Sequence, residues 1–210
     1  ESVDGGLGVQ VVLERNKETV EFVISSPGLH LALDACAAAA VASLLGASLP
    51  QVGKSLSRFI PVHMRSKLEV ARNGIKIIND VYNANPASTK AAIDLLKGID
   101  CKGKRVAILG DMLELGPTEI KSHEMMLRHC CDAHFDLVAL VGKRFWRAAE
   151  NLNLVTKINI VCSHDAKSLA LEIVKRLSCY DVVLVKGSRA MQMEKVVEAV
   201  KALHIGVLYD

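Results

Sequence analysis

No stretch of this chain is apolar for long enough to cross a membrane as a helix. The longest such run, Ala35 to Leu45, falls short of the roughly 20 residues a span requires, and its small side chains suit close packing in a core. Aromatic residues make up only 4% of the sequence and the formal net charge is +3, so there is no basic stripe with interleaved rings, and nucleic-acid binding is not expected. The six cysteines (Cys36, Cys101, Cys130, Cys131, Cys162, Cys179) include no CxxC spacing. They read as buried thiols of a reducing compartment, not as a zinc site or a disulfide frame, and the adjacent Cys130-Cys131 pair reads as packing. A GxxxxGK[ST] phosphate loop is missing from all 210 residues, as are repeats and low-complexity tracts. The chain begins at Glu1 with neither a methionine nor a targeting segment, which suggests a piece of a longer protein.

What is present is ample apolar material: 50% of the residues are hydrophobic, enough for a full core in one or two domains. Val9-Leu13 and Thr19-Ile24 alternate apolar with polar around Arg15-Asn16-Lys17, a hairpin pattern. An alanine-rich helix is predicted from about Leu31 to Leu45, closed by Gly46, with a short helix from Gln51 to Phe59 leading to Pro61. Beyond it, Leu68-Arg72 and Ile75-Val81 flank Asn73-Gly74, a strong signal for a two-residue hairpin turn. The domain boundary is therefore placed at residue 61, dividing 1–60 from 61–210.

From residue 75 onward, strands and helices alternate. Strands are predicted at Ile75-Val81, Arg105-Leu109, Leu137-Val141, Ile158-Val161 and Val182-Lys186, with helices near 88–97, 118–132, 143–151, 165–178 and 189–203. Short Val/Ile/Leu runs separated by helices imply βαβ crossovers and an α/β fold, a doubly wound, mainly parallel sheet. Such sheets bind ligands beyond the carboxyl ends of their strands, and three polar clusters fall there.

The first cluster is Asp80-Val81-Tyr82-Asn83-Ala84-Asn85-Pro86, between a strand and a helix whose N-terminal N–H groups favour phosphate or carboxylate. Capping accounts for Asn85 and Pro86 but leaves Asp80, Tyr82 and Asn83 unused. The second, Gly110-Asp111-Met112-Leu113-Glu114-Leu115-Gly116, sets Asp111 and Glu114 toward the same crevice, where two carboxylates can hold a cation or accept from an amine. The alternative is that Asp111 caps a turn and Glu114 is solvated. The third, Lys186-Gly187-Ser188-Arg189, offers two cations to an anion, a glycine for an unusual turn and a serine to cap or donate. Arg65, near the boundary, can reach a phosphate across a closing cleft or simply be solvated. His123 reads as a satisfied or surface histidine, and His129, His134 and His164 have no ligand spacing.

Together and in this order, the three clusters resemble the Mur ligase family. The wording Asp-x-Tyr-Asn-Ala-Asn-Pro, Gly-Asp-Met-Leu-Glu-Leu-Gly and Leu-Val-Lys-Gly-Ser-Arg-x-Met-x-Met-Glu extends over residues 65 to 198, and the likeness reaches back to Gly28-Leu29-His30. The resemblance implies a Rossmann-like C-terminal domain over 61–210, preceded in 1–60 by the tail of the family's central ATP-binding domain. It implies ATP and Mg2+ as cofactors, with the phosphate loop and metal ligands outside this chain and no metal site within it. The implied activity is formation of an amide between D-alanyl-D-alanine and a UDP-N-acetylmuramoyl-tripeptide through an acyl phosphate. These small molecules would be the partners of a cytoplasmic monomer, or of a stromal one in a plant or alga, with no nucleic acid or membrane.

Carried over by that resemblance, His30, Asp34, Arg65, Asp80, Tyr82 and Asn83 line the nucleotide site. Asp80 would accept from the ribose hydroxyls and Arg65 would neutralise phosphate. Asn85, Asp111, Glu114, Lys186, Ser188 and Arg189 would face the incoming substrate, a division inferred here from a dipeptide's need for cations at its carboxylate and acceptors at its amine. One departure stands out: the family commonly has His-Asn-x-x-Asn where this chain has His30-Leu31-Ala32-Leu33-Asp34, and a carboxylate cannot donate to an adenine ring nitrogen. The segment before Arg65 also lacks the family's usual glycine. The rivals are another Mur-type ligase, such as the one adding the third peptide residue, a folylpolyglutamate synthase, or a degenerate homologue retained as a binding or assembly subunit.

Overall fold

The computed structural model describes residues 1–60, 64–155 and 158–203. The expected boundary at residue 61 lies outside the described residues. The chain divides into two compact units, one drawn from Glu1–Val62 with Gly98–Asp100, the other from His63–Lys97 with Cys101–Asp210.

The first unit holds an antiparallel sheet, β1 (Ser2–Val3), β2 (Gly8–Arg15) and β3 (Glu18–Ile24), in the order β1-β2-β3. The hairpin turns on Asn16 and Lys17, with φ of 51° and 68°. Two left-handed residues make the turn whose twist matches the flanking strands. Alternation then puts Val9, Val11 and Leu13 inside with Phe22 and Ile24, against Ala35 and Ala39 of α1 (His30–Leu44) and Leu49 and Val52 of α2 (Leu49–Leu56). Seven alanines favour helix in α1. It stops where predicted because Gly46 takes φ 93°, which lets Ala47 N–H reach Ala42 O and Gly46 N–H reach Ser43 O. The second helix starts two residues before its expected position, since Gln51 Oε1 accepts from Ser48 N and Pro50 tolerates the first turn. Apolar residues run all round α1: Leu33, Val41 and Leu44 are exposed on the side away from the sheet.

The second unit is a six-stranded sheet of β4 (Lys67–Val70), β5 (Lys76–Asp80), β6 (Arg105–Gly110), β7 (Leu137–Val141), β8 (Ile160–Ser163) and β9 (Val182–Lys186), in the order β4-β5-β9-β6-β7-β8. Every pairing is parallel except β4 with β5. The helices are α3 (Pro86–Gly98), α4 (Glu119–Asp132), α5 (Lys143–Asn151), α6 (Ala166–Ile173) and α7 (Glu194–Ala202). Side chains from one sheet face, among them Ile77, Ile108, Ala139 and Val185, share a core with α6 and α7. Their neighbours in sequence, Ile78, Leu109, Leu140 and Leu184, are equally buried, which leaves the opposite face to the buried residues of α3, α4 and α5. Among the described residues no helix is long and apolar enough to cross a membrane.

Four expectations for this unit shift. Asn73-Gly74 closes a three-residue loop, not a two-residue one: Ala71 N bonds Ile75 O, Gly74 N bonds Ala71 O, and only Gly74 is left-handed, at φ 81°. Asn73 is occupied elsewhere, accepting from Ile75 N and donating to Val200 O and Leu203 O at the end of α7. The helix expected over 165–178 ends at Ile173 and tightens into a 3-10 turn at Val174–Arg176. The last one breaks into a 3-10 turn at Arg189–Met191, a left-handed Gln192 (φ 52°), and α7. Strand β8 also begins two residues late, where its register with β7 starts at Val138 and Ile160.

Candidate active site

The strand order sets the site. The chain runs from β5 past an open position to β6, proceeds outward to β7 and β8, and returns to lay β9 in the gap. The direction of winding therefore changes around β9, and the carboxyl ends of β5, β9 and β6 are the place where a sheet wound in this way receives ligands. Those ends are Asp80, Lys186 and Gly110.

Asp80 and Lys186 face each other in the β5–β9 register. Lys186 Nζ donates to Asp80 Oδ2 at 2.5 Å and to the Asn83 carbonyl at 2.9 Å. Asp80 Oδ1 accepts from Ser66 N at 2.9 Å. Both side chains are nearly enclosed, at 2% exposure for Lys186 and 11% for Asp80. A pair this buried gains little net stability over apolar residues, but losing either partner strands the other charge, at about 3–5 kcal/mol. Around it the loop is open. Tyr82 and Asn83 are exposed, Asn83 Oδ1 accepts from Ala84 N, and the Arg65 guanidinium lies 4.3 Å above the Tyr82 ring centroid. Met64 and Ser66, on either side of Arg65, are both left-handed at φ 66° and 45°, backbone strain of the sort that gathers at functional loops. Asn85 caps α3: its Oδ1 accepts from Ser88 N at 2.8 Å.

In the second cluster the geometry is close to the alternative reading, a capping Asp111 and a solvated Glu114. Asp111 is 2% exposed and turned away from solvent, its Oδ1 accepting from Phe145 N at 2.9 Å and its Oδ2 from Arg144 N at 3.1 Å. It thus caps α5 from a different strand, next to the Arg144 guanidinium at 3.6 Å. Gly142 is demanded by this contact, since at φ 109° a Cβ there would sit 2.4 Å from the carboxylate. Glu114, at φ 64°, is exposed, so Asp111 and Glu114 do not form a shared acidic site. His123 is a fully buried, satisfied histidine. Met112 N–H donates to its Nε2 at 2.9 Å, so Nδ1 carries the proton and donates to Glu119 O. Burial pushes its pKa below the ordinary value, consistent with a neutral ring. The Glu119 carboxylate on Arg144 Nε, at 2.6 Å, raises the pKa of that guanidinium.

The third cluster connects the other two. Ser188 N donates to Asp111 O at 3.1 Å, and Ser188 Oγ accepts from Leu113 N at 2.9 Å. Gly187 passes so close to Gly110 that a Cβ would lie 3.0 Å from its Cα and 2.7 Å from Met193 Cγ. Arg189 points outward, its side chain 56% exposed and in loose contact with Glu194 at 3.3 Å. His30 and Asp34 belong to the first unit, at the first and fifth positions of α1, where that spacing sets them on one helix face. Among the described residues no group of three or more His, Cys, Asp or Glu side chains is arranged to hold a metal ion.

The linear pattern assigns no role to Gly110, Gly142, Arg144, Phe145 or Glu119. The glycines carry a visible signal, each ending an apolar strand, but the other three function through contacts between distant segments.

The family model described as "Mur ligase, glutamate ligase domain" matches residues 64–189. Among curated proteins, the UDP-N-acetylmuramoyl-tripeptide–D-alanyl-D-alanine ligase of Bacillus subtilis is 34% identical over 178 residues, 84% of this chain and 39% of that protein. The protein of the same name from Escherichia coli is 31% identical over 199 residues, 92% of this chain and 42% of that one. Among solved structures, a MurF from Acinetobacter baumannii matches with a TM-score of 0.83 at 24% identity, over 94% of this chain and 43% of that one. A MurF ligase from Thermotoga maritima in complex with ADP matches at 0.75 and 23%, over 95% and 47%. These two structural matches carry the fold. The chain spans about two fifths of the length of the curated relatives it matches.

Proposed function

Because the chain belongs to the Mur ligase family, we propose that it is the C-terminal part of an ATP-dependent ligase joining D-alanyl-D-alanine to a UDP-N-acetylmuramoyl-tripeptide, the reaction for which its curated relatives are named. In this reading residues 1–60 are the tail of the central ATP-binding domain and 61–210 the C-terminal domain. An alanine-rich helix with exposed Leu33, Val41 and Leu44 on the side away from its sheet, as α1 has, suits the interior of a larger domain. The enzyme works in the cytoplasm on small molecules.

One observation carries the proposal: Lys186 and Ser188, two residues apart, hold the first and second clusters together at the crevice where a doubly wound sheet binds its ligand. Bound ATP supplies the phosphoryl group that activates the tripeptide's terminal carboxylate for attack by the dipeptide amine. This chain's residues fit the nucleotide side. A carboxylate offers about four acceptor positions, and Asp80 has filled two, so a ribose diol can be received on the rest. Arg65 is exposed and pre-placed by the Tyr82 ring, so its guanidinium can meet phosphate oxygens in a bidentate manner. On the other side, the exposed Arg189 is suited to the dipeptide carboxylate and the exposed Glu114 to its ammonium. Asp111 and Ser188 serve by holding the loops. No donor set among the described residues fits Mg2+, whose ligands in this reading lie outside them.

Release of ADP by the full-length enzyme should require tripeptide precursor and D-alanyl-D-alanine together. ADP release that instead requires a single amino acid, as in the ligases adding earlier peptide residues, would reassign the chain within the family. Binding without turnover would favour a non-catalytic homologue, the reading to which Leu31 and Asp34 lend support.

A further inference from the structure

The two cations of the Lys-Gly-Ser-Arg turn have opposite surroundings. Arg189 is 56% exposed and able to meet a ligand, whereas Lys186 is 2% exposed. An ammonium has three donors, and Lys186 commits two of them to the end of β5 and the loop that follows: one to the Asp80 carboxylate at 2.5 Å, one to the Asn83 carbonyl at 2.9 Å. Asn83 is fixed further by its own side chain, which accepts from Ala84 N, and Asp80 is fixed on its other oxygen by Ser66 N. From the end of β9, a single buried ammonium therefore sets where the carboxylate points and how the 80–85 loop leaves its strand, with Tyr82 turned outward beneath Arg65.

We propose that Lys186 is a positioning residue for the nucleotide, acting through Asp80 and the Asn83 backbone, and that it does not contact the dipeptide carboxylate. The proposal rests on the ligase reading given above, and it divides the turn: Lys186 serves the nucleotide loop, Ser188 the 110–116 loop, and Arg189 the incoming substrate. A lysine that bound the carboxylate would need a donor directed into the crevice; this one directs two into protein oxygens and is closed off from solvent.

The test replaces Lys186 by methionine, which retains the length of the stem and removes the charge. In the full-length enzyme, Lys186→Met should raise the KM for ATP by tenfold or more while the KM for D-alanyl-D-alanine stays within twofold. A rise for the dipeptide alone would overturn the proposal, as would equal rises for both, which would mark a merely structural role. A second readout does not depend on the activity. In amide spectra of the 210-residue chain, Lys186→Met should move the signals of Ser66 and of Tyr82 to Asn85 and leave Leu113 in place, whereas Ser188→Ala should do the reverse. Should the wild-type enzyme show no dependence on ATP and dipeptide, the ligase reading fails and these signals alone decide the positioning role, unmoved signals overturning it. If the single variant does not fold because Asp80 is left unpaired, Asp80→Asn with Lys186→Met removes both charges. Compared with Asp80→Asn alone, the pair must still displace the Ala84 and Asn85 amides, and its failure to do so overturns the role.

Discussion

Arg189 and Asp111 are both charged residues at loop starts beyond strand ends, yet their surroundings differ sharply. Arg189 is an exposed guanidinium in contact with Glu194 and the Met64 sulfur, exposed contacts worth little by themselves. In the full-length enzyme, Arg189→Ala should raise the KM for D-alanyl-D-alanine far more than that for ATP. Losing one charge-assisted contact costs roughly 1.5–3 kcal/mol, on the order of ten- to hundredfold in kcat/KM for the dipeptide. Steady-state kinetics varying each substrate decide this, and an equal loss for both would move Arg189 to the phosphate side. Asp111, by contrast, is buried and has given both oxygens to backbone N–H groups. Its substitution should appear first in stability.

At the scale of elements, that stability effect belongs to α5. The helix has a glycine at its N-terminal boundary and no cap of its own, so its first N–H groups depend on a carboxylate delivered from the end of β6. Asp111→Ala should lower the unfolding free energy of the chain by about 1–3 kcal/mol, the cost of leaving buried donors unpaired, and Asp111→Asn by less. Urea titrations of the three proteins measure this. Unchanged stability with a selective loss of dipeptide binding would restore Asp111 to the substrate side. Gly142→Ala should reproduce the destabilisation caused by Asp111→Ala, because a Cβ at a left-handed φ would collide with the same carboxylate.

For the whole molecule, pH dependence follows from His123. Its ring is neutral in the fold because burial lowers its pKa, and Asp111, Glu119 and Arg144 are the charged groups around it. In the unfolded chain it titrates near 6.5. The unfolded state therefore takes up the proton first, so the contribution to stability is complete above about pH 6.5 and is lost as pH falls through the lower folded value. Unfolding free energies should decline in that window for the wild type, and His123→Gln should be flatter there, though less stable at neutral pH. A wild-type curve that is level below pH 6.5 would mean that the ring is already charged in the fold. A further expectation concerns catalysis: the 210-residue chain by itself should turn over neither ATP nor tripeptide, since no GxxxxGK[ST] loop lies within it. Turnover by a preparation freed of contaminating ligase would refute that.

Local chemistry was enough to read the elements and the three clusters. A short unbroken apolar run marks β7 as a buried strand, alanines and Gly46 delimit α1, and Asn85-Pro86 announces the start of α3, because each of these depends on neighbours within a few residues. Sequence alone likewise placed Asp80, Asp111 and Lys186 at strand ends. It did not show which would face a ligand, because that depends on strand order. Only when β9 returns to lie between β5 and β6 does Lys186 meet Asp80, 106 residues away, and Ser188 meet Leu113, and only the approach of β6 to α5 makes Asp111 a helix cap. A linear pattern specifies which groups are available; the sheet's winding decides which of them neutralise one another and which, like Arg65, Glu114 and Arg189, stay exposed.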